Sequence, residues 1–169
     1  PKNFKALYPV DQIKLRPNVP KNQQAQARRE AQGYYAHCTA IDTCIPKIRK
    51  AISDAGIDDN TILIFTSDHG DMLGDHNLWR KTYAYEGSAR IPMIVVLPKD
   101  MREGVVPRST APVTLQDIMP TILDIAGLDI PEKVDGISMR PVLYGDDSKS
   151  REFIHGEHCW CYSPIQECQ

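Results

Sequence analysis

The stretch from Thr61 to Pro98 constrains this chain more than any other part of it. It opens with an apolar run, Ile62-Leu63-Ile64-Phe65, and breaks into the polar corner Ser67-Asp68-His69-Gly70. Lys81, Glu86 and Arg90 follow, and a second apolar run from Ile91 to Leu97 closes it. Short, fully apolar runs bounded by turn residues read as buried strands. A carboxylate and an imidazole at the end of such a strand, with a cation soon after, is the layout of an anion-processing site on an α/β sheet, because open α/β sheets bind ligands beyond their strand ends.

The flanking sequence supplies the helices. From Gln23 onward, Tyr34, Cys38, Ile41, Ile45, Ile48 and Ile52 recur every three or four residues, so the spacing predicts one apolar helical stripe. Pro46 lacks a backbone donor and should kink or divide that helix. Gly56 ends it, and Asp58-Asp59-Asn60 makes a turn before a strand over 61–66. After a second strand over 91–97, residues 98–108 form a loop, and 114–126 read as a helix that Pro120 should bend. Val134-Asp135-Gly136 is a turn, Met139, Val142 and Leu143 suggest a helical turn, and Phe153-Ile154-His155 a short strand. Residues 1–22, punctuated by Pro1, Pro9, Pro17 and Pro20, read as an extended segment apart from an α/β domain over 23–169.

Composition narrows the function. At 169 residues the chain is long enough for one domain with a core, and a net charge of −2 argues against nucleic-acid binding by bulk charge. No apolar run approaches the roughly 20 residues that span a membrane. The first residues are polar and carry neither a signal peptide nor an initiator Met, so the chain is expected to be a processed or excised piece. The compartment is left open between periplasm, exterior and cytoplasm. Five cysteines, Cys38, Cys44, Cys159, Cys161 and Cys168, form no C-x-x-C pair. Cys38 and Cys44 lie in the helical pattern and read as buried structural thiols.

An Asp-His pair is an acceptable ligand set for many divalent metals, yet by itself it reads more readily as a turn aspartate beside a surface histidine. Lys81 alone would be a solvated lysine. The longer strings decide more. TSDHGDMLGDHNLWRK and YEGSARIPMIV, with YYAHCTAID upstream and LQDIMPTILDIAGL and DGISMRPVL downstream, resemble the sulfatase family of the alkaline-phosphatase superfamily over roughly residues 30–158. The resemblance implies an incomplete alkaline-phosphatase-like α/β domain: a layered sheet with flanking helices. It also implies that Asp68 and His69 are half of a divalent-metal site, usually Ca²⁺. Many members have Asn at the place of His69, and an imidazole leaves Mn²⁺ or Zn²⁺ open as well. Lys81, thirteen residues after Asp68, matches the lysine that contacts sulfate oxygens, where a fixed cation stabilises a transferring sulfuryl group.

For His76, in Gly74-Asp75-His76, substrate contact and loop structure stand side by side. Asp71 and Asp75 read as loop hydrogen-bond acceptors, and Glu86 with Arg90 as a buried or half-buried pair steadying the Lys81 loop. The family's nucleophile is a formylglycine made from a C/S-x-P-x-R sequence. Cys44-Ile45-Pro46-Lys47-Ile48-Arg49 puts its Arg one residue late and lies in the helix before the metal-site strand, so it is rejected. His155-Gly156-Glu157-His158 beside Cys159 and Cys161 reads as a strand-to-loop segment bordering the substrate pocket rather than a metal site. The resemblance therefore implies a portion of a sulfatase, acting on a sulfate-ester small molecule or glycan and inactive by itself. A phosphonate or phosphodiester hydrolase of the same superfamily, or a non-catalytic binding module, are the alternatives. An apolar sheet face or edge left uncovered predicts self-association.

Overall fold

The structure, a computed structural model, describes residues 2–81 and 83–156. These fall into two compact units that part after Pro98.

In the first unit, α1 (Lys2–Lys5) and single 3-10 turns at Val10–Gln12 and Lys21–Gln23 replace the extended course expected for residues 1–22. Helix α2 (Gln24–Asp42) fastens this segment with its side chains. Gln32 Nε2 donates to the Tyr8 carbonyl at 2.9 Å, and the Tyr8 and Thr39 hydroxyls are 2.6 Å apart. The segment from Lys2 to residue 22 therefore packs against α2, and the division between compact units lies far downstream of residue 22.

A third helix, α3 (Ile45–Asp54), comes directly after α2. Pro46 divides the long pattern because it falls in the first turn of α3, where a missing N–H leaves no bond unmade. The buried side of α2 is the small set Ala27, Ala31 and Ala36, which lets backbone approach closely. The predicted stripe is largely uncovered instead, with Tyr34, Ile41 and Ile48 exposed. Cys38 and Cys44 are exposed too, so the buried-thiol expectation fails: they lie outside the alanine face that packs.

Among the described residues the sheet has two strands, β1 (Leu63–Thr66) and β2 (Met93–Val96), with the short helix α4 (Glu86–Ala89) between them in sequence. They pair antiparallel in the register Leu63↔Val96, Ile64↔Val95, Phe65↔Ile94 and Thr66↔Met93. Residues directly opposite share a face, so Leu63, Phe65, Ile94 and Val96 form one apolar face. Ile94 is 55% exposed and Val96 40%, so the strands exist where the sequence placed them but are not buried on both faces.

The second unit is built around α5 (Ile118–Ile125) and α6 (Arg140–Leu143). Pro120 sits in the first turn of α5 and so bends nothing. The Asp117 carboxylate is the hub: it accepts from the Thr114 amide at 2.7 Å, the Ile137 amide at 2.8 Å, and both terminal nitrogens of Arg151. Thr121 Oγ1 donates to the Asp117 carbonyl and accepts from the Met139 amide. A Cβ on Gly136 would lie 2.1 Å from the Gln116 carbonyl oxygen, so only glycine fits this approach. Residues 153–155 form no strand, and Phe153 and Ile154 are exposed. No described helix is long and apolar enough to cross a membrane.

Candidate functional site

The Ser67–Gly70 corner leaves the end of β1 and is stitched by its own polar atoms. Ser67 Oγ donates to the His69 carbonyl at 2.7 Å, and the His69 amide donates to Asp68 Oδ1 at 3.0 Å. The Gly70 amide then donates to the Ser88 carbonyl at 2.7 Å, tying the corner to α4. A Cβ on Gly70 would lie 2.2 Å from the Gly87 carbonyl oxygen, which is why glycine follows His69.

Asp68 and His69 do converge. Asp68 Oδ2 lies 3.4 Å from His69 Nε2, while the Asp68 side chain is 81% exposed and that of His69 37%. His69 Nδ1 is 2.7 Å from the Gly70 carbonyl, which can only accept, so Nδ1 carries a proton. In the neutral ring, Nε2 then turns a lone pair toward a carboxylate. Two such lone pairs are held together by a shared cation: a proton on Nε2, which makes an imidazolium–carboxylate ion pair, or a metal ion. Ligand atoms each 2.0–2.4 Å from one ion at a right angle lie roughly 3 Å apart, close to the spacing here. The pair thus fits a divalent metal, as two ligands of a larger set: no group of three or more His, Cys, Asp or Glu forms among the described residues. The surroundings of Asp68 remove some water, which raises its carboxyl. The His69 charge and hydrogen bonds from the backbone and Ser67 outweigh this and hold it below the ordinary range.

Residues 71–81 form a tight loop. Asp71 Oδ1 accepts from the Leu73 and Arg80 amides at 2.8 and 3.2 Å, as a loop acceptor should. The Met72 amide meets the Arg80 carbonyl, the Gly74 amide meets the Leu78 carbonyl, and Met72 is buried beneath. Asp75 does more than the sequence suggested. It is buried, Arg16 Nη1 donates to its Oδ2 at 3.2 Å, and its Oδ1 has no hydrogen-bond partner among the described residues. His76 stacks on Tyr85 with ring centres 4.6 Å apart, and its Nε2 lies 3.2 Å from the Asn18 amide nitrogen. Lys81 is exposed at the loop's end. Glu86 and Arg90 pair at 3.0 Å, but with side chains 71% and 80% exposed they are a surface pair along α4, not the buried brace expected. Arg16 and Asn18 escaped the sequence reading because they sit in a proline-punctuated stretch with no periodicity. Their only signal is Pro17 between them.

An open cleft of about 800 Å³ adjoins the corner, lined by Arg16, Tyr34, Phe65, Ser67, His69 and Asp71 among others. His155 is exposed, and the rest of the His/Cys cluster from Glu157 to Cys161 lies outside the described residues.

The sequence model of the sulfatase family matches residues 1–128. An arylsulfatase of Clostridium perfringens is 44% identical over 138 residues, covering 81% of this chain and 28% of that protein. An ulvan-active sulfatase of Formosa agariphila is 33% identical over 153 residues, covering 89% of this chain and 30% of that protein. Among solved structures, the phosphonate monoester hydrolase of Silicibacter pomeroyi superposes with a TM-score of 0.66 at 31% identity, over 86% of this chain and 28% of its own. A protein solved with its substrate D-glucosamine-2-N,6-O-disulfate gives 0.59 at 29% identity, over 77% and 26%. The chain spans under a third of the length of these relatives, and its fold is a partial alkaline-phosphatase-like α/β domain. With well over half of its residues inside the family match, including the Asp68–His69 corner and the loop to Lys81, this chain belongs to the sulfatase family.

Proposed function

We propose that the chain is a portion of a sulfate-ester hydrolase, in which Asp68 and His69 supply half of a divalent-metal site. Lys81 meets the sulfate oxygens and His76 contacts the substrate. The observation that carries this is the Asp68–His69 corner: a carboxylate oxygen and an imidazole nitrogen 3.4 Å apart beyond a strand end, with the other ring nitrogen committed to the Gly70 carbonyl. That second bond orients a metal-bound histidine, as outer partners of such ligands do. Ca²⁺ is the expected ion, with Mn²⁺ or Zn²⁺ the alternatives an imidazole admits. When bound, it would withdraw electron density from a sulfate oxygen.

The Lys81 ammonium would offset negative charge on the sulfate oxygens, and an exposed position at the end of a tight loop leaves it reachable by substrate. Sulfated glycans or small sulfate esters are the substrate class. A relative active on ulvan and a structural neighbour solved with a disulfated glucosamine support this. No C/S-x-P-x-R sequence occurs in the 169 residues, so the formylglycine nucleophile is assigned to the rest of the complete protein. The isolated chain should then turn over little or no substrate, because covalent catalysis without its nucleophile loses its route. Assaying an aryl sulfate with the isolated chain and with the complete protein tests this. Robust turnover by the 169 residues alone would refute the assignment, and so would a complete reading frame without C/S-x-P-x-R. A phosphonate or phosphodiester hydrolase is the second reading, favoured by the likeness to the Silicibacter enzyme.

A further inference from the structure

The loop that carries His76 and Lys81 is gripped from a segment nearly sixty positions earlier. Arg16 Nη1 donates to Asp75 Oδ2 at 3.2 Å, and the Asn18 amide nitrogen lies 3.2 Å from His76 Nε2. The two gripping residues flank Pro17, whose ring fixes the backbone between them. Ile13 and Val19 are buried at either side, and Arg28 Nε donates to the Ile13 carbonyl, so the strap is anchored at both ends.

The loop needs such a grip. Leu73, His76, Asn77 and Arg80 all have left-handed backbone, with φ of 50°, 52°, 60° and 61°. Asn and His adopt that conformation readily, but Leu73 and Arg80 keep it only where their surroundings enforce it, and such strain gathers at functional sites. Asp75 is buried and, among the described residues, pairs with Arg16 alone, so removing Arg16 would leave a carboxylate out of water and without that partner, and the loop would open to solvate it. Asn18 works on the ring itself. With its amide donating to Nε2, the His76 proton sits on Nδ1, while the Tyr85 ring, tilted by only 16°, restrains the opposite degree of freedom.

We propose that Arg16 and Asn18 are positioning residues of the sulfate-ester site, locking the 71–81 loop through Asp75 and His76 and so fixing where His76 and Lys81 meet the substrate. This rests on the functional reading above. A fixed cation stabilises developing charge far better than a mobile one, because nothing must reorganise at the moment of reaction. The side chains of the strap bond to Asp75 and His76, which carries their effect to the loop's geometry, and Arg16 also lines the cleft beside His69.

The test uses the complete enzyme with an aryl sulfate. Arg16→Gln and Asn18→Ala should each lower kcat roughly ten- to a hundredfold with a smaller change in KM. Amide hydrogen exchange at Gly74 and Leu78 should quicken, while amides of α5 exchange as before. Arg16→Lys, which keeps the cation, should recover most of the rate, and metal content should stay constant. Faster loop exchange with unchanged kcat would overturn the proposal and leave the sulfatase reading standing. Loss of protection spread through both units would reduce the strap to a general structural element and overturn it as well. A wild-type enzyme that does not hydrolyse the sulfate ester would overturn both.

Discussion

Asp117 shows how much one side chain can carry. Its carboxylate accepts from the backbone at residues 114 and 137 and from the Arg151 fork, joining three stretches of the second unit. Burial alone would raise its carboxyl. The hydrogen bonds from Arg151, Ile137 and Thr114 outweigh that and hold it below the ordinary value of 3.8. Asp124 is held down too: partial burial raises it, and bonds from Ser138 and Arg140 win. A folded-state value below the unfolded one means stability that is present above the ordinary carboxylate range and lost as pH falls through it. The second unit should therefore keep constant stability from neutral pH to about pH 5 and weaken steeply below about pH 4. Asp117→Asn should cost roughly 3 kcal/mol in urea unfolding, because the half-buried Arg151 loses its anion and a buried hub of hydrogen bonds is weakened. It should also flatten the acid slope. At the site, Asp68→Ala should abolish metal retention in the complete enzyme, read by elemental analysis. Lys81→Ala should leave metal content intact and lower kcat/KM by about 10² to 10³.

At the scale of elements, close backbone approaches decide what the corner and turns tolerate. Gly70→Ala would drive a methyl into the Gly87 carbonyl and break the tie between the corner and α4, so circular dichroism melts should show a loss of about 1–3 kcal/mol. Metal binding at Asp68 and His69 should fall with it. Elements of this kind were largely legible from the sequence. Pro46 announced the break between α2 and α3, both apolar runs became strands, and the Asp68–His69 convergence followed from their place at a strand end. What was not legible depends on partners remote in sequence. The spacing of Glu86 and Arg90 gives a pair but not its exposure. The alanines at 27, 31 and 36 outcompeted the larger stripe for burial, leaving Cys38 outside. The loop from Asp71 to Lys81 adopts left-handed backbone at Leu73 and Arg80, which carry no local signal for it, as well as at His76 and Asn77, and its anchor, Arg16, lies 59 residues before Asp75.

At the scale of the whole molecule, the uncovered apolar surface is the main liability. Ile94 and Val96 on the sheet, and Tyr34, Ile41 and Ile48 on the helices, are exposed in a chain spanning under a third of its relatives' length. Among the described residues, each strand of the two-stranded sheet also has one edge without a strand beside it, a ready template for another chain. The isolated chain should self-associate, with light scattering rising with concentration, and Ile94→Lys should suppress it. A monomer at high concentration would count against this. The central claim concerns chemistry: the Asp68–His69 corner and Lys81 serve sulfate-ester hydrolysis. It is tested most directly by kcat/KM of the complete enzyme on the sulfate ester and the phosphodiester of one phenol. The account predicts a clear preference for the sulfate ester that Lys81→Ala erodes. A preference for the phosphodiester, or a sulfate rate indifferent to Lys81, would contradict it.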